Sequence, residues 1–79
     1  MNSGNERLEK AIEEAIRAKM NENGGTAVLR MKATGRELFV TKSVWDPKDW
    51  TLYDGCELVV GDVSPEHICH LIRIGKCYR

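Results

Sequence analysis

The chain has no excess of charge of either sign, with twelve Lys and Arg set against twelve Asp and Glu over 79 residues. Strong non-specific binders of nucleic acid or of anionic membranes carry a positive excess, so neutrality argues against both. The balance is also local: residues 1–25 carry four basic and five acidic side chains, and residues 26–79 carry eight and seven. No apolar run approaches the ~18 residues of a membrane span. The first residues lack the basic and apolar regions of a secretory leader. Cysteine is scarce, and Cys56, Cys69 and Cys77 are odd in number and irregular in spacing. That pattern argues against a disulfide framework and leads us to expect a cytoplasmic protein with reduced thiols.

Other absences concern chemistry. There is no Cys-x-x-Cys knuckle to fix half of a zinc tetrahedron; the nearest approach is His67-x-Cys69, so neither a metal nor a cofactor is expected. No glycine-rich loop opens a helix to cradle phosphate, because Gly24–Gly25 closes one instead. No paired carboxylates frame a cleft, and no serine or cysteine has a convincing base, so the chain is not expected to be an enzyme. Repeats, linkers and low-complexity segments are missing, which leaves one domain over residues 1–79. A chain this short buries only ~60% of its unfolded surface, so its core is small.

What is present is a change of period. Over residues 5–21, Leu8, Ile12, Ile16 and Met20 recur every four residues, and Ala11, Ala15 and Ala18 widen the stripe of an amphipathic helix. Ser3 and Glu6 fit a capping box, and Glu6–Lys10 and Glu13–Arg17 are i,i+4 pairs. From Thr26 the period becomes two, with Leu29, Met31 and Ala33 alternating with Arg30 and Lys32. A turn at Thr34–Gly35 leads into a second strand over 36–45. Asp46-Pro47-Lys48-Asp49 has the residues of a β-turn. A third strand spans Trp50–Tyr53, and Asp54–Gly55 signals a tight hairpin into a fourth strand at Cys56–Val60. Ser64-Pro65-Glu66-His67 reads as one helical turn with Ser as N-cap and Pro at N1. His70–Ile74 reads as a fifth strand with Ile72 and Ile74 on one face.

One helix, five bent strands and a helical turn before the last strand resemble the Sm-like family, with an Hfq/Rof-like organisation. Gly35 stands at the family's hairpin glycine. Trp45–Asp46 matches its aromatic–Asp step, and His67-Ile68-Cys69-His70-Leu71-Ile72 resembles its closing segment. Val40 replaces a second family glycine, and Glu66 replaces the basic residue before the His. Other small SH3-like barrels share the same element order. The resemblance implies that His67 contacts uridine and that Val44–Trp45 belongs to a base-stacking region.

The expected fold is therefore α+β: an N-terminal amphipathic helix packed on a small five-stranded antiparallel Sm-like or SH3-like barrel over residues 26–75. The helix stripe is expected to meet Leu29, Met31, Leu38, Val40, Leu58, Val60 and Ile72. Trp45 and Trp50 bracket the 46–49 turn and would sit opposite each other, either closing the barrel or forming an aromatic platform with Lys48 at its tip. Arg30, Lys32, Arg36 and Lys42 on the first two strands add a modest basic strip, which Glu37 and Asp46 weaken. The expected function is a small non-catalytic regulatory protein that acts through a protein–protein contact, such as an inhibitor or regulator of a nucleic-acid machine. The alternative is an Sm-like RNA-binding module. Candidate contact residues for either are Trp45, Lys48, Trp50, His67, Arg30 and Lys32. A protein partner is expected and RNA is the alternative; self-association is left open.

Overall fold

The structure, a computed structural model, describes residues 3–31 and 35–75. Helix α1 (Ser3–Asn23) is followed by strands β1 (Thr26–Arg30), β2 (Glu37–Lys42), β3 (Trp50–Asp54) and β4 (Glu57–Val63), and then by helix α2 (Pro65–Ile74). The strands form an open antiparallel meander in the order β1-β2-β3-β4. Both helices lie against one face. The expected five-stranded barrel is not formed, because the fifth strand is absent and β1 and β4 remain separate edges.

The fifth strand fails because the segment after Ser64 is a complete helix. The Ser64 hydroxyl accepts from the His67 N–H at 3.3 Å, and Pro65 starts the first turn. Ile68, Cys69 and Ile72 are buried. Their i, i+1, i+4 spacing suits a helix and no strand. Gly75 ends the helix with φ 72°, a left-handed geometry that glycine adopts without steric cost. The helix also separates the pair assigned to one strand face: Ile72 is inside and Ile74 is exposed.

Helix α1 runs somewhat past the expected 5–21 and stops at Gly24–Gly25, where Gly24 has φ 73° and the Gly25 N–H reaches the Met20 carbonyl at 2.8 Å. Its stripe is buried unevenly: Ile16 and Met20 are in the core, Ile12 packs against it, and Leu8 is exposed. The side chain of Ser3, needed for the expected capping box, lies outside the described residues. Arg17 meets Glu13 at 2.9 Å on the outer face.

The inward side chains of the sheet are Ala27, Leu38, Val40, Trp50 and Leu52, all fully buried, with Leu29 and Met31 beside them. β4 gains extra residues relative to β3, since Trp50 pairs with Val63, Leu52 with Val60, and Tyr53 with Leu58. These bulges break strict alternation, so Val59, Val60 and Val63 all reach the core. Leu58, expected inside, is 62% exposed because its partner Tyr53 points outward. Trp50, Leu52, Ile68, Cys69 and Ala27 complete a core that the sequence pattern assigned only in part.

Glu9 joins the two helices. Its Oε2 accepts from Arg73 Nε at 2.6 Å and lies 3.0 Å from His70 Nδ1. The Arg73 hydrogen bond, and after it the His70 contact, hold the Glu9 carboxyl below its ordinary range. The folded state thus prefers the charged carboxylate. This contribution is present above the unfolded-state pKa and is lost as pH falls through the lower folded one. We expect Glu9→Gln to flatten the fall in melting temperature below about pH 4.5 relative to wild type; superimposable acid limbs would remove Glu9 from that role. In the core, Ile16→Val should cost about 1 kcal/mol in denaturant unfolding, and Leu8→Ala less than about 0.5 kcal/mol.

Candidate functional site

The face of the sheet turned away from the helices has an unusual composition. Antiparallel sheets with one free face normally carry polar side chains there. Here the ladder register places Val28 opposite Phe39, Phe39 opposite Tyr53, and Tyr53 opposite Leu58. An apolar row therefore crosses all four strands on the open face. Thr26, Thr41 and Thr51 form a second row on one side of it. On the other side Arg30 stands opposite Glu37 and bonds to it at 3.3 Å.

At the threonine end the face is bounded by the β2–β3 loop, residues 43–49. The Ser43 N–H donates to the Asp49 carbonyl at 2.9 Å, and the Asp49 N–H to the Asp46 carbonyl at 2.9 Å. The Lys48 N–H donates to Asp46 Oδ1 at 3.0 Å, so the expected turn at 46–49 forms with its Asp cap. The Ser43 side chain is buried and its hydroxyl donates to the Asp62 carboxylate on β4. Ser43 Oγ also receives the Trp45 N–H at 3.4 Å. Asp62 itself has φ 57° and gives its N–H to Thr51 Oγ1 at 3.2 Å. A non-glycine residue in this left-handed region carries a local cost of order 1 kcal/mol. At this position the bulge geometry aims its carboxylate at the loop.

Held by this latch, Val44 and Trp45 project into solvent, 92% and 86% exposed. Beside them lies a shallow trough with Gly61 in its floor, lined also by Thr41, Thr51, Tyr53, Leu58 and Asp62. Trp45 borders the trough without filling it.

The structure divides the candidate residues named from sequence. Trp45 and Lys48 share the loop. Trp50 is fully buried, with the Arg17 guanidinium 5.0 Å above its ring. The two tryptophans do not face each other, because Trp50 pairs with Lys42 and leaves Trp45 inside a seven-residue loop. The joint platform is therefore ruled out, and Trp50 is core. Arg30 lies at the far end of the sheet, with five residue steps of β2, ~17 Å, between its row and Lys42. His67 is exposed on α2, in the helical layer. Lys32 lies outside the described residues, as do Cys77 and the basic tail at Lys76 and Arg79.

Sequence reasoning missed Val28, Phe39, Tyr53, Leu58 and Asp62 as parts of one surface. A signal was present: Ala27-Val28-Leu29 and Leu38-Phe39-Val40 are unbroken apolar triples, the mark of strands covered on both sides. The barrel reading placed Leu29, Leu38, Val40 and Leu58 inside and gave Val28 and Phe39 no role.

The buried thiol is not activated. Cys69 is buried, and desolvation, followed by the Glu13 and Glu9 carboxylates, pushes its pKa up to about 12. It stays protonated at neutral pH. His67 and Cys69, pictured on one face of a strand, diverge on the helix, with His67 outside and Cys69 inside. Cys56, expected to begin the fourth strand, is exposed at the β3–β4 turn. Among the described residues no three His, Cys, Asp or Glu side chains gather as metal ligands. Among the same residues no helix is long and apolar enough to cross a membrane. In comparisons with known proteins, no family model, curated protein or solved structure matches this chain.

Two measurements check this geometry. Trp45→Phe should leave a single emitter, Trp50, with blue-shifted fluorescence and little acrylamide quenching; strong quenching of that remaining emission would place Trp50 outside. Ser43→Ala should speed hydrogen exchange at the amides of residues 43–49 while costing only about 1 kcal/mol overall.

Proposed function

We propose that this chain is a small binding protein that acts without catalysis, docking its open sheet face and Trp45 loop against another protein. The observation that carries this reading is Trp45 itself, a tryptophan 86% exposed on a loop held by backbone bonds and by the Ser43–Asp62 latch. An exposed aromatic in a fixed conformation contributes large contact area with little ordering cost on binding. The apolar row Val28–Phe39–Tyr53–Leu58 extends the surface behind it. Regulation of a nucleic-acid machine is the narrower form, and it rests on the Sm-like resemblance alone.

A second reading, RNA binding, has one observation in its favour. Phe39 and Tyr53 are cross-strand neighbours on an open sheet, where bases can stack at ~1–3 kcal/mol each. The charges favour the first reading. Glu37, Asp46 and Asp62 accompany Arg30, Lys42 and Lys48 around the face, and Glu37 already engages Arg30.

Affinity capture from the native cell extract, with wild-type and Trp45→Ala baits, tests the proposal. We expect a protein held by wild type and lost, or weakened at least about tenfold, by the variant. Its retention should change little between low and high salt. Capture of RNA with a steep salt dependence would transfer the face to the second reading. Identical captures by both baits would remove Trp45 from the site.

A further inference from the structure

Four features of the open face converge on one occupant. First, the outer side carries an apolar row between the threonine row and the Arg30–Glu37 pair, and the described residues cover only the side facing the helices. An antiparallel sheet normally turns polar side chains to water on its free face, so the outer row Val28–Phe39–Tyr53–Leu58 is what a cover would bury. Second, projection and cavity are neighbours. Val44 and Trp45 stand out at the edge of a trough floored by Gly61 and walled by Tyr53 and Leu58. A surface that carries both halves of a fit complements itself, which is the requirement of a two-fold interface.

Third, the charges are mixed. Lys42, Lys48, Asp46, Asp49 and Asp62 surround the trough and loop, and none joins an ion pair within the chain among the described residues. Farther along the sheet, Arg30 and Arg36 are matched internally by Glu37 and Asp54. A two-fold axis running between the lysines and the aspartates would set one copy's Lys42 and Lys48 against the other's Asp46 and Asp49 twice, whereas a partner of one sign would leave one set facing like charge. With zero formal net charge, two copies approach without overall repulsion. Fourth, the face carries a large anchor for such a contact, Trp45, 86% exposed. A buried tryptophan contributes on the order of 200 Å², and a specific interface needs ~800 Å² per partner. Two seated tryptophans, with Val44, Leu58 and the apolar row from each copy, supply the centre of such an interface.

We propose that two copies of this chain associate face to face about a two-fold axis, each seating its Trp45 in the trough of the other. The inference does not rest on the docking of a different protein. It supplies what covers the same face when no such protein is bound, so a partner would compete with the second copy.

Gly61 makes the arrangement testable from both sides. A Cβ there would lie 3.7 Å from Thr51 and 3.8 Å from Leu58, ordinary contact distances, so a longer side chain rises into the trough. Trp45→Ala removes the projection and keeps the trough; Gly61→Leu keeps the projection and fills the trough. The experiment is analytical ultracentrifugation from micromolar to millimolar protein, with circular dichroism of each variant. Wild type should pass from one chain mass to two and stop there. Each variant alone should dimerise at least about thirtyfold more weakly. An equimolar mixture of the two should recover part of the loss, because the Gly61→Leu copy inserts its Trp45 into the open trough of the Trp45→Ala copy. If Gly61→Leu does not fold, Leu58→Lys at the exposed wall takes its place.

Wild type that stays monomeric throughout would overturn the proposal. So would assembly that continues beyond two, or a mixture no tighter than either variant alone. A monomer that still captures a partner through Trp45 would sink the pair and leave the docking function standing; a dimer with no Trp45-dependent partner would do the reverse.

Discussion

The Trp50 ring occupies the space between α1 and the inner face of the sheet, fully enclosed, with the Arg17 guanidinium laid over it. It is among the largest side chains in the core and opens β3, so its position sets the pairing of both neighbouring strands. With Trp50 opposite Lys42, β2 ends at Lys42 and the next seven residues leave the ladder. That choice puts Trp45 outside. Enclosing a tryptophan removes some 150–250 Å² from water, a large term in a chain with so small a core. The exposure of Trp45 is in this sense a by-product of where the core takes its large aromatic.

The second consequence is openness. α2 supplies Ile68, Cys69 and Ile72 to the core, and with them the inner face of the sheet is complete. A fifth strand would instead have had to bridge β4 and β1. Helix α2 leaves those edges apart and the outer row uncovered. The exposed apolar surface follows from a helix taking the place of a strand at the end of the chain. Large apolar patches of this kind on small proteins mark sites of association.

Much of this was legible in the residues. The four-residue period of α1, the Gly24–Gly25 stop and the turn at 46–49 each have a local cause and appear in place, while the hairpin signalled by Asp54–Gly55 forms one residue later, with Gly55–Cys56 as its turn and Asp54 paired to Glu57. The last element was misread because Ile72 and Ile74 satisfy a two-residue period as readily as Ile68 and Ile72 satisfy a helical one. Ser64 and Pro65 signalled a helix start, but no glycine or proline interrupts 66–74, and the helix simply continues. The role of the tryptophans turned on a register that spacing alone does not decide: a four-residue loop pairs Trp45 with Trp50, and a seven-residue loop separates them. The β4 bulges were illegible for a related reason, since Leu58, Val59 and Val60 are all apolar and alternation assigns no face to such a run.

Asp62 carries an evolutionary implication. Its backbone sits where glycine would be at ease, while its carboxylate anchors Ser43 and the loop that presents Trp45. A change to glycine would relax the backbone and at the same time release the loop. Drift toward a more robust chain and retention of a well-aimed tryptophan therefore pull this one codon in opposite directions. A lineage indifferent to where Trp45 points would be free to accept glycine there, and one that needs it presented would not.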